Sequence, residues 1–335
     1  MGDYLSNTAQ SSGAARDWPS VALDRERLFS FLCSSPVVPE DGAVPSWWNP
    51  RKPGYPYPEA AALWLSWAAW RKTRGESAPG DHMLRRVVTW LAGKLASAGA
   101  IGKGGRLFLF DTCLAAHGLA RISTHLPEAQ APARIALDGV ARFLEADLPV
   151  LPAAISPARW SYRWHLHHER GAALLRQAGL LLDEPRANRM ADSLRARIDE
   201  RVIRPEYLHA TLYGVEGALL HRVFGLPQGP LNPAKEAERL AALQTPEGAL
   251  PAFVGRDSGE RCDTTAQAVR LWCVVDRARY DTAIANALMF LATRQHPEGG
   301  VDYGPRDGDR TVWVAIFTDQ AAAWAHGGAE PEEWL

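Results

Sequence analysis

Apolar positions recur along most of this chain at the spacing of three to four residues that is typical of α-helices, and strand-like alternation is rare. Residues 58–72, which Pro58 opens, are apolar on almost every side, as expected of a helix that is buried on most faces. The next segment, residues 81–98, mixes basic and apolar positions and is expected at the surface. The pattern therefore predicts two kinds of helix.

The same contrast continues along the chain and predicts about twelve helices, with amphipathic members alternating with less polar ones. An inner helix touches neighbours on three sides and tolerates little charge, whereas an outer helix keeps one wet face. About six hairpins in two concentric rings, an all-α (α/α)6 toroid, would produce this alternation, as would an open solenoid. The predicted segments begin near Val21 (with Ser20 as N-cap), Pro58, Asp81, Leu109, Ala131, Pro157, Pro185, Pro205, Pro233, Cys262, Asp281 and Arg310.

A short turn motif repeats inside the chain. Gln244-Thr-Pro-Glu-Gly248 returns as Gln295-His-Pro-Glu-Gly299, 51 residues further on. Each copy follows a predicted outer helix and precedes a loop that leads to a predicted inner helix. A recurring turn between equivalent elements is expected of a repeat architecture.

The long loops of the predicted toroid join each outer helix to the next inner helix, so they should gather at one rim. The inner helices have their N-termini at this rim, where unpaired N–H groups and helix dipoles favour anionic ligands. The predicted long loops are residues 34–57, 98–110, 147–158, 245–261 and 296–309. The rim is therefore the predicted location of a functional site.

Polar side chains cluster at the starts of the predicted inner helices. Carboxylates, His and Tyr can move protons, and His titrates near neutrality where its neighbours can tune it. The candidate acid/base or hydrogen-bonding groups are Glu59, Asp111, His209 and Asp263. Asp111 and Asp263 could instead be helix caps, and Glu59 suits the helix dipole. His209 could instead be a satisfied core histidine.

Thirteen tryptophans are unusual for this length, and several stand at segment starts. Aromatic faces suit sugar rings and cations, although apolar packing is the plainer explanation. The candidate substrate-binding residues are Tyr57, Tyr162, Trp164, His165, His168, Tyr213, Gln267, Arg310 and Trp313. Arg261 and Arg310 could hold an anionic group or could be solvated. His165 and His168 would share a helix face, but no third ligand has the spacing of a metal site, so no metal is predicted.

Composition narrows the possible functions. The chain has 335 residues with 37 basic and 38 acidic side chains and no basic run, so no nucleic-acid partner is predicted. No apolar run approaches the ~18 residues of a membrane helix, and no nucleotide-binding or HExxH motif implies a cofactor. Four cysteines without CxxC spacing, and a polar N-terminus, predict a cytoplasmic protein with free thiols. Residues 1–18 are expected to be a flexible tail and residues 19–335 one toroid domain.

Five short stretches resemble the α/α-toroid superfamily, which includes terpenoid cyclases, protein prenyltransferases and six-hairpin toroids that act on sugars. In order and spacing they are most similar to bacterial polysaccharide-biosynthesis proteins of the prenyltransferase/squalene-oxidase-repeat type. The stretches are residues 54–59 (GYPYPE), 110–112 (FDT) with Gly118-Leu119, 209–217, 262–267 (CDTTAQ) and 313–320. The resemblance implies the toroid fold and a connection with carbohydrates.

The prenyl and terpenoid branches fit these residues less well. Residues 261–266 align with the Asp-rich acid box of class II terpene cyclases but keep only its central carboxylate, as Asp263. The zinc-binding Asp-x-Cys of protein prenyltransferases is missing near Cys262, and the zinc motifs of lanthionine cyclases are absent. The leading hypothesis is an enzyme acting on a sugar or acidic oligosaccharide by hydrolysis, elimination or epimerisation. The alternatives are a terpenoid or prenyl enzyme that uses Asp263 and a non-catalytic binding or scaffold protein.

Overall fold

In the computed structural model, the residues that can be described are 22–153, 160–198, 207–224, 231–255, 258–304 and 308–334. They contain twelve α-helices. The helices are α1 (Arg25–Leu32), α2 (Pro58–Thr73), α3 (Asp81–Ala96), α4 (Leu109–Ile122), α5 (Gln130–Ala146), α6 (His167–Leu182), α7 (Arg186–Arg195), α8 (Leu208–Val223), α9 (Pro233–Leu243), α10 (Cys262–Asp276), α11 (Asp281–Thr293) and α12 (Val312–Gly327).

The even-numbered helices form an inner ring and the odd-numbered helices lie outside it. Each inner helix packs against the next inner helix in order, and α12 packs against α2. The outer helices pack against the inner ones, for example α3 against α2 and α1 against α12. Because the last inner helix meets the first, the ring is closed. This confirms the predicted toroid and excludes the open solenoid.

Burial follows the predicted division between inner and outer helices. Every residue of the inner helix α4 is buried except Arg121. The outer helix α5 instead buries one face, which includes Ala133, Ala136, Leu137 and Val140. Alternating composition along the chain thus reports which ring a helix occupies. Within the described ranges, no helix has the length and apolar character that a bilayer span requires.

The loops that lead into the inner helices gather at one rim, as predicted. Antiparallel strands of two or three residues pair there, some between neighbouring loops and some within one loop, and the hydrophobic pattern does not reveal them. β1 pairs with β7, β3 pairs with both β2 and β4, and β5 pairs with β6. The strands are β1 (Trp47–Trp48), β2 (Gly102–Lys103), β3 (Arg106–Phe108), β4 (Val150–Leu151), β5 (Leu250–Pro251), β6 (Glu260–Arg261) and β7 (Arg310–Thr311).

The repeated turn has the same structure in both copies. The side-chain amide Nε2 of Gln244 donates to the Gly248 carbonyl at 3.0 Å, and Nε2 of Gln295 donates to the Gly299 carbonyl at 3.3 Å. The two glycines have φ values of +93° and +101°, which favour glycine. A β carbon on either would collide with a carbonyl of the next outer helix, α11 or α1. The motif therefore marks equivalent hairpins of the repeat.

The first helix differs from its prediction. α1 begins at Arg25 rather than near Val21, because Asp24 is the N-cap and its carboxylate accepts a hydrogen bond from the Arg27 amide at 2.9 Å. Ser20, the predicted cap, lies outside the described residues, as does the predicted tail of residues 1–18.

The end of the ring opposite the rim is covered by the C-terminal segment. A short 3-10 helix, Pro331–Glu333, precedes Trp334, which is fully buried with its ring centroid 5.2 Å from that of Trp324. Gln320 of α12 donates to the Glu333 carbonyl at 2.9 Å. This segment therefore closes the interior from below and leaves the rim as the entrance.

Candidate functional site

The first turns of the inner helices bring candidate side chains together inside the rim. Five of these residues are each the second residue of their helix, and Asp111 is the third residue of α4. Equivalent positions on the helices of a closed ring face the same axis, so residues far apart in sequence converge. The five residues are Glu59, His168, His209, Asp263 and Trp313.

Tyr57 links two carboxyl groups, one on α2 and one on α4. Its hydroxyl donates to Oδ2 of Asp111 at 3.3 Å and lies within hydrogen-bond reach of Glu59. Burial raises the pKa of Asp111 well above its usual range, and the charge of Glu59 raises it further. Burial also raises the pKa of Glu59, although part of that side chain remains accessible from the ring interior. The pair can therefore keep a proton at a pH where an ordinary carboxyl is ionised.

Asp263 is held as a carboxylate by a set of donors. Arg261 donates from Nε to Oδ1 at 3.0 Å and from Nη2 to Oδ2 at 2.7 Å, and the Thr264 amide donates to Oδ1 at 2.9 Å. Burial disfavours the charge, but Arg261, His209 and the hydrogen bonds outweigh burial and keep the pKa of Asp263 below its usual range. Arg261, not Asp263, occupies the N-cap position of α10.

His209 lies beside this carboxylate. Its Nδ1 is 2.7 Å from Oε1 of Gln267 and 3.4 Å from Oδ2 of Asp263, and its ring centroid is 4.4 Å from that of Tyr213. Burial lowers the pKa of His209 to about 4, although Asp263 partly offsets the effect. The imidazole is therefore neutral at physiological pH and can accept a proton.

The pair of Glu59 and Asp111 faces the pair of His209 and Asp263 across the ring. In the closed order of inner helices, α2 stands opposite α8 and α4 stands opposite α10. The carboxyls of Glu59 and Asp111 thus lie on one side, and His209 and Asp263 lie on the other. Burial and then the charge of Glu59 raise the pKa of Tyr213 on α8.

A buried ion cluster forms the floor of the site. Glu216 of α8 forms ion pairs with Arg170 of α6 and Arg270 of α10, and all three side chains are fully buried. Gln267 donates from Nε2 to Oε1 of Glu216 at 3.1 Å. Burial lowers the pKa of each of the two guanidinium groups to about 9. Two cations and one anion leave positive charge beneath the site, which favours an anionic or electron-rich ligand.

Aromatic rings line the wall formed by the entrances to α6, α8 and α12. The Trp160 ring centroid lies 6.0 Å from that of Tyr207. The Arg261 guanidinium lies 3.5 Å from the Tyr303 ring centroid, and the Tyr303 ring contacts the Trp313 ring at 5.9 Å. Trp160, Tyr207 and Trp313 are half-buried, so parts of their surfaces remain available to a ligand.

The entrance to α6 differs from its prediction. The helix begins at His167, so Tyr162, Trp164 and His165 precede it, and His165 and His168 do not share a helix face. Nδ1 of His165 instead accepts a hydrogen bond from the next backbone amide at 2.8 Å. His168 is fully buried against Trp164, with ring centroids 5.5 Å apart. The predicted helix starts at Pro157 and Pro205 fall outside the described residues.

Arg310 contacts a carboxylate, an imidazole and an aromatic ring at the rim. Its Nε lies 3.1 Å from a carboxylate oxygen of Glu298, its Nη2 lies 2.6 Å from Nδ1 of His296, and its guanidinium lies over the Trp48 ring at 4.8 Å. Gln267, another predicted substrate-binding residue, contacts His209 and Glu216 through its side-chain amide. Among the described residues, no group of three or more His, Cys, Asp or Glu side chains is arranged to hold a metal ion.

Sequence reasoning does not single out the floor residues or Tyr207. Arg170, Glu216 and Arg270 are fully buried within inner helices, and a buried charge requires a partner. That signal could have marked them as a set. Their pairing depends on which helices are adjacent in the ring, and only the structure supplies that information.

No family model and no curated protein matches the chain. The fold is similar to that of unsaturated glucuronyl hydrolase from Bacillus sp. GL1, with a TM-score of 0.66, 14% identity, and coverage of 91% of this chain and 97% of that chain. It is also similar to D-mannose isomerase, with a TM-score of 0.65, 12% identity, and coverage of 94% of this chain and 100% of that chain. A glycosidase in complex with glucose gives a TM-score of 0.62, 12% identity, and coverage of 91% of this chain and 98% of that chain. These likenesses establish the shared α/α-toroid fold.

Proposed function

We propose that this protein is an enzyme that acts on a sugar or an oligosaccharide by general acid–base catalysis inside the rim. The observation that supports this most directly is the opposition of two unlike groups. Glu59 and Asp111 can retain a proton, whereas His209 is neutral and Asp263 is ionised. Groups whose environments push their pKa values apart are suited to act as acid and base in one reaction.

Hydrolysis of a glycosidic bond is the reaction that this arrangement favours. Asp111 or Glu59 would protonate the leaving oxygen. His209, oriented by Asp263, would take a proton from a water molecule on the opposite face of the sugar. The half-buried ring of Trp160 would provide an apolar face for the sugar.

The structural neighbours support a carbohydrate substrate. Their names describe a glucuronyl hydrolase, a glucose-bound glycosidase and a mannose isomerase, all built on the same fold. Isomerisation or epimerisation is the second candidate reaction, because a neutral imidazole such as His209 can also take a proton from carbon and return it. Elimination would use the same acid and base, so the products must decide among the three.

The other hypotheses have less physical support. A cyclase that protonates its substrate through Asp263 needs that carboxyl to hold a proton, but Arg261 keeps its pKa low. A scaffold protein predicts an interior filled by its own side chains, whereas Tyr57, Glu59 and Trp160 remain partly accessible. The resemblance to polysaccharide-biosynthesis proteins and the cytoplasmic location stay predictions.

The test is a product analysis by NMR after incubation with neutral and acidic oligosaccharides and with monosaccharides in deuterated water. New reducing ends indicate hydrolysis, unsaturated rings indicate elimination, and deuterium on carbon indicates isomerisation or epimerisation. Asp111→Asn and His209→Gln should each lower kcat by about 10²–10⁴-fold. The exposed Asp138→Asn is the matched control and should retain full activity. Failure to act on any saccharide, together with binding of prenyl diphosphates, would overturn the proposal.

A further inference from the structure

The β2–β3 hairpin carries two cations at directly opposed positions. In its antiparallel register Lys103 stands opposite Arg106. Like charges at opposed positions destabilise a two-stranded pair. Among the described residues, no carboxylate forms an ion pair with either side chain. The hairpin thus holds two positive charges close together without a counter-ion from the described part of the chain.

Each of these cations lies over a tyrosine ring. The Lys103 ammonium is 3.6 Å from the Tyr55 ring centroid, and the Arg106 guanidinium is 5.6 Å from that of Tyr162. The Tyr55 ring in turn contacts the Tyr57 ring, with centroids 5.6 Å apart. All three tyrosines are half-buried. The cations are therefore part of an aromatic surface that continues to the proposed acid.

The hairpin also leads directly into the site through the backbone. β3 ends at Phe108, α4 begins at the next residue, and Asp111 lies in its first turn. A chain of sugars with one unit at Asp111 would place a neighbouring unit near this hairpin. Two cations beside aromatic faces match a sugar ring that carries a carboxylate, since the cations bind the carboxylate and the rings contact the sugar.

We propose that Lys103 and Arg106, with Tyr55 and Tyr162, form a subsite for the carboxylate of a uronate unit. This inference rests on the proposed function and narrows its substrate class to acidic oligosaccharides. The subsite would hold a unit adjacent to the bond that reacts, so it would contribute to affinity more than to the chemical step.

The test compares a glucuronate-containing trisaccharide with its carboxyl-reduced, neutral form, by titration calorimetry and by kinetics. The double variant Lys103→Gln/Arg106→Gln should weaken binding of the acidic form about tenfold or more and leave the neutral form unchanged. Lys94→Gln is the matched control, because Lys94 is an exposed lysine that also lies over an aromatic ring, that of Trp90 at 5.2 Å, but belongs to the outer helix α3 and not to the hairpin. It should change neither.

The outcomes separate the subsite from the proposed function. If the wild-type protein binds the acidic and neutral forms equally, or the double variant binds both as the wild type does, the subsite is wrong even where turnover occurs. If neither form binds or reacts, the subsite is wrong, whereas the proposed function is decided by the product analysis with the wider set of saccharides. If the double variant loses binding of the acidic trisaccharide but still binds the neutral form as the wild type does, the subsite is supported whether or not the trisaccharide is cleaved.

The surroundings of His209 determine which of its two ring nitrogens carries the hydrogen. The Nδ1 of this residue faces two oxygens, Oε1 of Gln267 and Oδ2 of Asp263. The Gln267 amide nitrogen faces Glu216, which accepts hydrogen bonds only, because it is a carboxylate paired with two arginines. The amide must therefore present its nitrogen to Glu216 and its oxygen to His209. An oxygen at that distance requires a hydrogen on Nδ1.

We infer that Gln267, anchored by Glu216, is a positioning residue that fixes the proton of His209 on Nδ1. Both described polar partners of the imidazole lie at Nδ1, so Nε2 is the nitrogen left to accept a proton from water or sugar. The opposite tautomer would place a bare Nδ1 lone pair against two oxygens. The tautomer itself is independent of any substrate, and only its catalytic use rests on the proposed function.

Proton–nitrogen correlation spectra of protein with labelled histidine report which ring nitrogen is protonated, with His209→Gln to assign the signals. We expect a protonated Nδ1 in the wild type and a measurable share of the Nε2-protonated form in Gln267→Met. Gln320→Met is the matched control, because Gln320 accepts a hydrogen bond at 3.0 Å from Arg270, one of the two arginines paired with Glu216, and has no contact with His209. A protonated Nε2 in the wild type, or an unchanged tautomer in Gln267→Met, would show the inference to be wrong.

Discussion

The Tyr57 hydroxyl lies 3.3 Å from Oδ2 of Asp111 and is shared with Glu59, so one phenol joins carboxyl groups from two inner helices. A phenol donates a single hydrogen, and only one of the two carboxyls can receive it at a time. Burial and mutual repulsion then favour a state in which the pair keeps a proton. The burial of these two carboxyl groups therefore determines the pH at which the pair loses its proton.

Replacing Asp111 should change how stability depends on pH. Its raised pKa means that the folded state keeps a proton that the unfolded chain loses above about pH 4. The folded state then binds more protons, so the free energy of unfolding of the wild type falls as pH rises through this window. Asp111→Asn should remove most of this slope, so its stability relative to the wild type should increase as pH rises from 5 to 8.

Urea unfolding between pH 5 and pH 8 measures this effect. Asp138→Asn is the control, since Asp138 is exposed and its replacement should leave the slope unchanged. Equal slopes for the wild type and Asp111→Asn would mean that Asp111 ionises normally in the folded protein.

The pH dependence of kcat/KM should report the two groups separately. Catalysis requires neutral His209, so activity should rise with pH through about 4. It should fall at higher pH as the Glu59–Asp111 pair loses its proton. A pH–rate profile on the identified saccharide measures both limbs. In Glu59→Gln the alkaline limb should move to lower pH, because removal of the Glu59 charge lowers the pKa of Asp111. A profile that is unchanged by this replacement would exclude the pair as the acid.

Much of the fold could be predicted because local composition reports the environment of a helix. The helices α4 and α10 begin at Leu109 and Cys262, as predicted. Pro58 and Pro233 also open their helices as expected. The short strands could not be predicted, since β1 and β7 bring together residues separated by most of the chain and leave no alternation to detect.

The candidate site was predicted in part for the same reason. Glu59, Asp111, His209 and Asp263 stand at helix starts, and the topology of a closed ring brings such positions together. The contacts that each side chain makes could not be predicted in this way. The side chains that contact Arg310 are His296 and Glu298, which lie in another part of its own loop, and sequence spacing does not determine these contacts.

Gly217 allows two inner helices to approach closely. A β carbon at this position would lie 2.3 Å from the backbone nitrogen of Arg170 in the neighbouring α6. Gly217→Ala should therefore lower the free energy of unfolding by about 1–3 kcal/mol, although alanine favours helix by about 1 kcal/mol. Gly93→Ala on the outer helix α3 is the matched control, because a β carbon there meets nothing within 4 Å. It should stabilise the protein by about 0.5–1 kcal/mol, and urea unfolding of both variants decides.

Trp334 should be among the most important residues for stability, although it stands at the C-terminal end of the chain. It is fully buried beneath the ring, and the Arg270 guanidinium lies 5.5 Å from its ring centroid, so it supports the floor of the site from below. Trp334→Ala should lower the free energy of unfolding by about 3–5 kcal/mol. Trp90→Ala, on the outer surface of α3, removes the same side chain from a half-buried position and should cost much less. Thermal and urea unfolding of both variants test the comparison. If the two replacements cost the same, the C-terminal segment is not part of the cooperative core, and the floor must be held by the inner helices alone.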